Sequence, residues 1–159
     1  MDLNAVKALI VGTYRGQGHG IYPTIEDFDY LENLVFELSP KGFIVYTQTS
    51  KKPSTGLPMH QERGYLRLTE GLKAEFVIAQ PTGIAEISTG AIEAQDGVVR
   101  FSVSCANLLN SPTAKVVQHV VRHYEFDQSG LQYRLDMATE SEDLQLHLAA
   151  TLERVGDGY

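Results

Sequence analysis

Apolar and polar residues alternate in short blocks along nearly the whole chain, and each block ends at a turn signal. The start differs. Leu3, Val6 and Ile10 recur at helical spacing behind Asp2, which predicts one short helix with Asp2 as its cap. Ten period-two segments follow, over 12–20, 28–37, 43–51, 59–68, 72–80, 84–94, 98–106, 115–126, 131–138 and 144–154. The breaks hold turn residues: Pro40-Lys41-Gly42, Pro53 to Pro58, Glu70-Gly71, Pro81-Thr82-Gly83, Asp96-Gly97, Asn110-Ser111-Pro112 and Ser129-Gly130. No helical pattern lies between strands to make a parallel crossover, so the strands are antiparallel neighbours. A long meander removes its two open edges by closing on itself. Eight strands enclose roughly one small ligand, and ten leave a larger lumen. The expected fold is all-β: a ten-stranded antiparallel up-and-down β-barrel with a short N-terminal helix, with residues 1–159 as one domain.

Length and charge narrow the function. A chain of 159 residues with 43% apolar and 21% charged residues is an ordinary globular composition with enough material for a core. The formal net charge of −7 repels phosphate backbones and anionic lipid surfaces, so neither a nucleic-acid nor a membrane partner is expected. The longest apolar runs are of the Ala8 to Val11 and Phe76 to Ala79 kind, far short of the about 20 residues of a spanning helix. The Met-Asp-Leu-Asn start carries no basic region before an apolar stretch, so no signal peptide is expected. Cys105 is the single cysteine, read as a small buried strand residue, and a reducing cytoplasm is the simplest compartment.

Few residues offer chemistry. Gly16-Gln17-Gly18-His19-Gly20 is followed by Ile21-Tyr22-Pro23 rather than a helix, so these glycines read as a bend in a strand and not as a phosphate loop. His119 and His123 sit among valines, and four residues of strand separate them by about 13 Å, too far to share one metal ion. They are expected at the surface. There is no Gly-x-Ser-x-Gly elbow, and the acidic residues are expected on solvated strand faces. His60 and His147 remain, and from the pattern alone each reads first as a structural or surface histidine.

Several motifs, in order across nearly the whole chain, resemble the nitrobindins, haem-binding β-barrels of fatty-acid-binding-protein or lipocalin-like shape. They are Gly12-Thr13-Tyr14-Arg15-Gly16-Gln17-Gly18, Tyr22-Pro23-Thr24-Ile25, Tyr46-Thr47-Gln48, Met59-His60 before Gly64-Tyr65, Pro81 to Ile84, Thr113 to Val116, and the ending His147 to Arg154. The resemblance implies ferric haem b held by His147 as its one protein ligand to iron. It implies that Thr24 contacts haem and that Met59, His60, Gln80 and Met137 line the pocket. It implies nitric oxide binding, haem-dependent isomerisation of peroxynitrite to nitrate, and small-molecule partners, with a homodimer left open. No catalytic group beyond the haem iron is implied. The chain departs from the family at Tyr14, where the motif carries tryptophan. The tyrosine keeps the aromatic packing and brings a hydroxyl that needs a partner.

Strand parity adds a constraint. Leu144, Leu146, Leu148, Ala150 and Leu152 share one face of the last segment, and His147 lies on the other. If the leucines fill the lumen, His147 points out unless a bulge turns it in. The favoured expectation is that the leucines pack under the N-terminal helix and leave His147 inside. In the ninth segment Leu131, Tyr133, Leu135 and Met137 form one apolar face, which suits Met137 as a pocket residue. The alternative function is a non-haem carrier of a fatty-acid-like or other apolar molecule, with Arg15, Arg67 or Arg122 as the internal arginine for an acid headgroup. A sensor domain ranks last.

Overall fold

The computed structural model describes residues 1–156. A helix, α1 (Leu3–Ile10), precedes β1 (Gly12–Gly20), β2 (Phe28–Leu38), β3 (Ile44–Lys51), β4 (Pro58–Thr69), β5 (Lys73–Gln80), β6 (Ile84–Gln95), β7 (Val98–Cys105), β8 (Leu109–Asn110), β9 (Val117–Phe126), β10 (Gly130–Thr139) and β11 (Gln145–Gly156). Ten of the strands form a closed antiparallel ring in chain order, with β11 paired to β1 and β5 paired to β6. The additional strand, β8, is a two-residue piece on the edge of β6. It forms where the loop after β7 is fastened: the Ser111 N–H donates to the Gly83 carbonyl at 2.8 Å, and the Asn110 side chain pairs with both backbone groups of Val117.

Asp2 caps α1 as expected, accepting from the Ala5 N–H at 2.8 Å, and the helix buries Val6 and Ile10 completely. Tyr14, 0% exposed, stands beneath it. Its hydroxyl donates to the carbonyls of Leu9 (2.9 Å) and Ile10 (3.0 Å), carbonyls at the helix C-terminus that lack an intrahelical donor. This is the partner the tyrosine needs. Its ring meets Phe36 and Phe126 edge-on, at 6.2 and 5.7 Å between centroids. Phe36, Tyr46, Phe76, Phe101 and Tyr124 extend the cluster, so this end of the barrel is filled.

The glycines of β1 have a sharper role than bending. A Cβ on Gly18 would lie 2.1 Å from the Tyr30 ring, and one on Gly20 would lie 2.2 Å from the Phe28 ring. Bare backbone there lets two aromatic rings of β2 lie flat inside the barrel.

Candidate functional site

The open end of the barrel holds a cavity of about 290 Å³. Larger grooves of about 890 and 1150 Å³ run along the outer face of the sheet, between exposed side chains. The interior cavity gathers His147, His60, Met59, Gln80 and Met137, five of the six residues that the sequence pointed to. They come from the start of β4, the end of β5, the end of β10 and the start of β11, which meet at one rim of the ring. Thr24, the sixth, is exposed in the turn between β1 and β2, beside Ile25, which does line the cavity.

The inward turn of His147 has a specific cause. On β11, Leu148 pairs with Leu135 and Leu146 pairs with Asp136, so His147 is the extra residue of a bulge. The expectation that the leucine face packs under the helix is corrected. Leu148 faces the cavity, Leu152 reaches the core cluster that contains Val6 and Ile10, and the bulge brings His147 in beside Leu148. Across from it, the Ile21 N–H donates to the His147 carbonyl at 2.9 Å, and His147 Nδ1 lies 3.1 Å from the Ile21 carbonyl. A carbonyl only accepts, so Nδ1 carries the hydrogen and Nε2 carries the lone pair. Tyr22 and Phe28 pack edge-on against the imidazole at 5.2 and 6.4 Å. Burial lowers the pKa of His147 from its ordinary value, helped by nearby Lys115 and His60, while the Ile21 bond works the other way. The ring is therefore neutral near pH 7, the form that ligates a metal.

Beneath the apolar walls lies a buried ionic floor. Arg122 on β9 donates from both terminal nitrogens to Glu62 on β4, at 3.0 and 2.9 Å, and also to Glu86 on β6. Tyr46 donates to Glu62 at 2.9 Å, and His60 Nε2 lies 3.3 Å from it. Burial alone would raise the pKa of Glu62, but the Arg122 charge and His60 outweigh it and hold the carboxyl down at about 2. Glu32, Glu62 and Glu86, all at most 5% exposed, correct the expectation of solvated acidic residues. Parity carried the signal: Glu32 shares its register with Tyr30, Leu34 and Phe36, and Arg122 shares its register with Val120, Tyr124 and Phe126.

Of the other candidates, Arg15 is exposed and bonds Asn33, and Arg67 is half-exposed and pairs with Glu75. His119 and His123 are partly exposed and meet Ser104 and Ser102. Among the described residues no three His, Cys, Asp or Glu side chains gather to hold a metal ion. The His147 imidazole, with Nε2 free toward a mostly apolar cavity, suits a group that brings its own equatorial ligands, and haem is such a group. Among the described residues no helix is long and apolar enough to cross a membrane.

Comparison with known proteins identifies the family. Residues 2–154 match the family described as THAP4-like, heme-binding beta-barrel domain. Peroxynitrite isomerase 2 of Mycobacterium marinum is 42% identical over 153 residues, covering 96% of this chain and 94% of that protein. Peroxynitrite isomerase of Nocardia farcinica is 41% identical over 150 residues, covering 94% and 89%. The crystal structure of Rv2717c from M. tuberculosis superposes with a TM-score of 0.90 at 39% identity, covering 95% of this chain and 97% of that one. Matched over residues 2–154 and about 40% identical to these relatives across nearly its whole length, the chain belongs to the THAP4-like, haem-binding β-barrel domain family.

Proposed function

We propose that the protein binds ferric haem b through His147, binds nitric oxide there, and isomerises peroxynitrite to nitrate. The observation that carries the reading is the bulge-directed imidazole, with Nδ1–H held by the Ile21 carbonyl and Nε2 left to the cavity. Haem, when bound, supplies the Lewis-acidic, redox-active iron on which this chemistry depends. The residues of the chain set its surroundings. The Ile21 carbonyl fixes the imidazole tautomer and raises its basicity. Met59, Met137, Leu135 and Val120 keep the cavity walls apolar, so water is excluded from a ligand held there. His60 stands on the same wall with its Nε2 3.3 Å from Glu62, which fixes the ring beside a bound ligand. Thr24 serves as a haem contact from the rim. The names of the relatives support peroxynitrite as substrate, and we place the reaction in a cytoplasm with small molecules as its partners.

The carrier of apolar acids is not favoured. Arg122 is the interior arginine, and Glu62 and Glu86 already neutralise it, so an acid headgroup would find no free cation there.

The test is a haemin titration followed at the Soret band. The wild-type chain is expected to saturate at one haem per chain, and His147→Ala is expected to bind at least tenfold more weakly while keeping its β-sheet circular dichroism. Equal uptake by both would overturn the ligand assignment.

A further inference from the structure

The floor of the cavity contains a second feature that haem binding does not account for. Glu32 on β2 is 4% exposed, inside the barrel. Its Oε1 accepts from Gln48 Nε2 at 2.7 Å. Its other oxygen, Oε2, has no hydrogen-bond partner, and neither does Gln48 Oε1. Two buried acceptors on the same pair of side chains, each without a donor, would each cost about 1–3 kcal/mol of desolvation. A proton on Oε2 removes the first of these costs, because the group then donates instead of only accepting. With an O–H on Oε2, Glu32 becomes a carboxylic acid, a form that keeps the bond from Gln48 and offers a donor of the kind a primary-amide oxygen accepts.

The surroundings favour that proton. Burial pushes Glu32 up to about 7, and the nearby Glu62 carboxylate adds to the rise. The Gln48 bond, the nearby Tyr133 hydroxyl and the Arg122 charge oppose it without cancelling it. These are the polar groups that face Glu32: Gln48 on β3, Glu62 on β4, Arg122 on β9, Tyr133 on β10 and, on its own strand, Tyr30. Glu62 and Glu86 already outnumber Arg122, so an ionised Glu32 would place a second uncompensated negative charge in a closed interior.

Glu32 also adjoins the cavity, because Gln48, its bonded partner, lines it. The Tyr133 hydroxyl lies 2.8 Å from that of Tyr30, and both residues line the cavity that His147 enters. Burial raises the pKa of both phenols above the ordinary range. They stay protonated and leave Glu32 as the group beside them that takes up a proton.

We propose that Glu32 is a proton-binding site serving the His147 cavity, taking up a proton from solvent when negative charge enters the cavity and returning it when that charge leaves. No bond other than O–H is made or broken, and no electron moves. The source of the charge rests on the haem reading above; the proton site itself does not.

The experiment has two arms. In the haem-free protein labelled with ¹³C at the glutamate carboxyls, the signal missing from Glu32→Gln identifies Glu32. Its midpoint is expected within about one pH unit of 7, and a midpoint below 5 overturns the proton site. Glutamine matches the shape of the protonated acid and keeps the amide pairing, so the variant is expected to fold. If it does not, Glu32→Asp supplies the assignment. In the second arm, haem-loaded protein near pH 7 receives azide, an anion that carries no proton of its own at that pH, and uptake is read with an indicator dye. Wild type is expected to take up a fraction of a proton per azide bound, and Glu32→Gln at least threefold less with the azide Soret shift retained. Equal uptake by both overturns the coupling. Absence of any azide-dependent Soret change overturns the haem reading instead, and the proton site then stands or falls on the carboxyl midpoint.

Discussion

The two ends of the barrel interior are built from the same strands and finish with opposite contents. At the helix end, inward positions carry Tyr14, Phe36, Tyr46, Phe76 and Phe126, whose rings meet edge to face and leave no cavity. At the rim end the inward positions are Met59, His60, Leu135, Met137 and His147, around a space of about 290 Å³. Between them lies the ionic floor of Arg122, Glu62 and Glu86. The rings at one end supply the stability that allows the other to stay hollow. The floor separates them, because a hydrogen-bonded charge cluster cannot be displaced by an apolar ligand pushing deeper.

Deleting the same ring at each end breaks the comparison most directly. Phe36→Ala is expected to cost about 4 kcal/mol, since the side chain is fully buried and its neighbours cannot collapse into the space. Phe28→Ala, at the half-buried rim beside the cavity, is expected to cost about 1–2 kcal/mol and to weaken haem binding instead. Urea unfolding of both variants measures the difference, and equal losses would show that the rim is as tightly packed as the plug.

The floor responds to pH. Burial pushes Glu32 up to about 7 in the folded state, above the ordinary carboxyl value of 4.5, so the folded state holds the proton more tightly than the unfolded chain. Its contribution is therefore fully present below about pH 4.5 and is lost as pH rises through about 7. The loss amounts to roughly 3 kcal/mol across that window. Glu32→Gln is expected to remove this slope, so that the variant outlasts wild type in thermal melts at pH 8.5 and matches it at pH 5. Parallel curves would refute the assignment.

The smallest effect belongs to the plug. Tyr14→Phe keeps the ring and loses the hydroxyl bonds to Leu9 and Ile10, which is expected to cost about 1 kcal/mol. A melting shift confined to faster amide exchange in α1 would locate the loss at the helix end, and haem affinity should not change.

Much of this was legible before any coordinates. The segments read over 12–20 and 84–94 became β1 and β6 with ends displaced by one residue at most, because Gly and Pro at the breaks leave the backbone few alternatives. Motif resemblance assembled five residues, from positions 59 to 147, that the ring brings to one rim. Glu32 and Glu62 were misplaced although their register was visible, since a carboxylate in an apolar row is read as solvated until a buried partner is known. Arg122 is that partner for Glu62, and it lies 60 residues further along the chain.

The alternation, the turns and the helix cap are local properties, and the sequence by itself determined them: which residues form strands, that the strands are antiparallel neighbours, and which rows face inward. The tertiary structure alone decided the rest. Closure of the ring set β10 against β11 with one residue left over, and that residue is His147. A bulge depends on how two strands are matched in register, which no single segment records. The ionic floor likewise exists only once β4, β6 and β9 face each other across the lumen, because a buried charge is tolerated only where its counter-charges are already held in place.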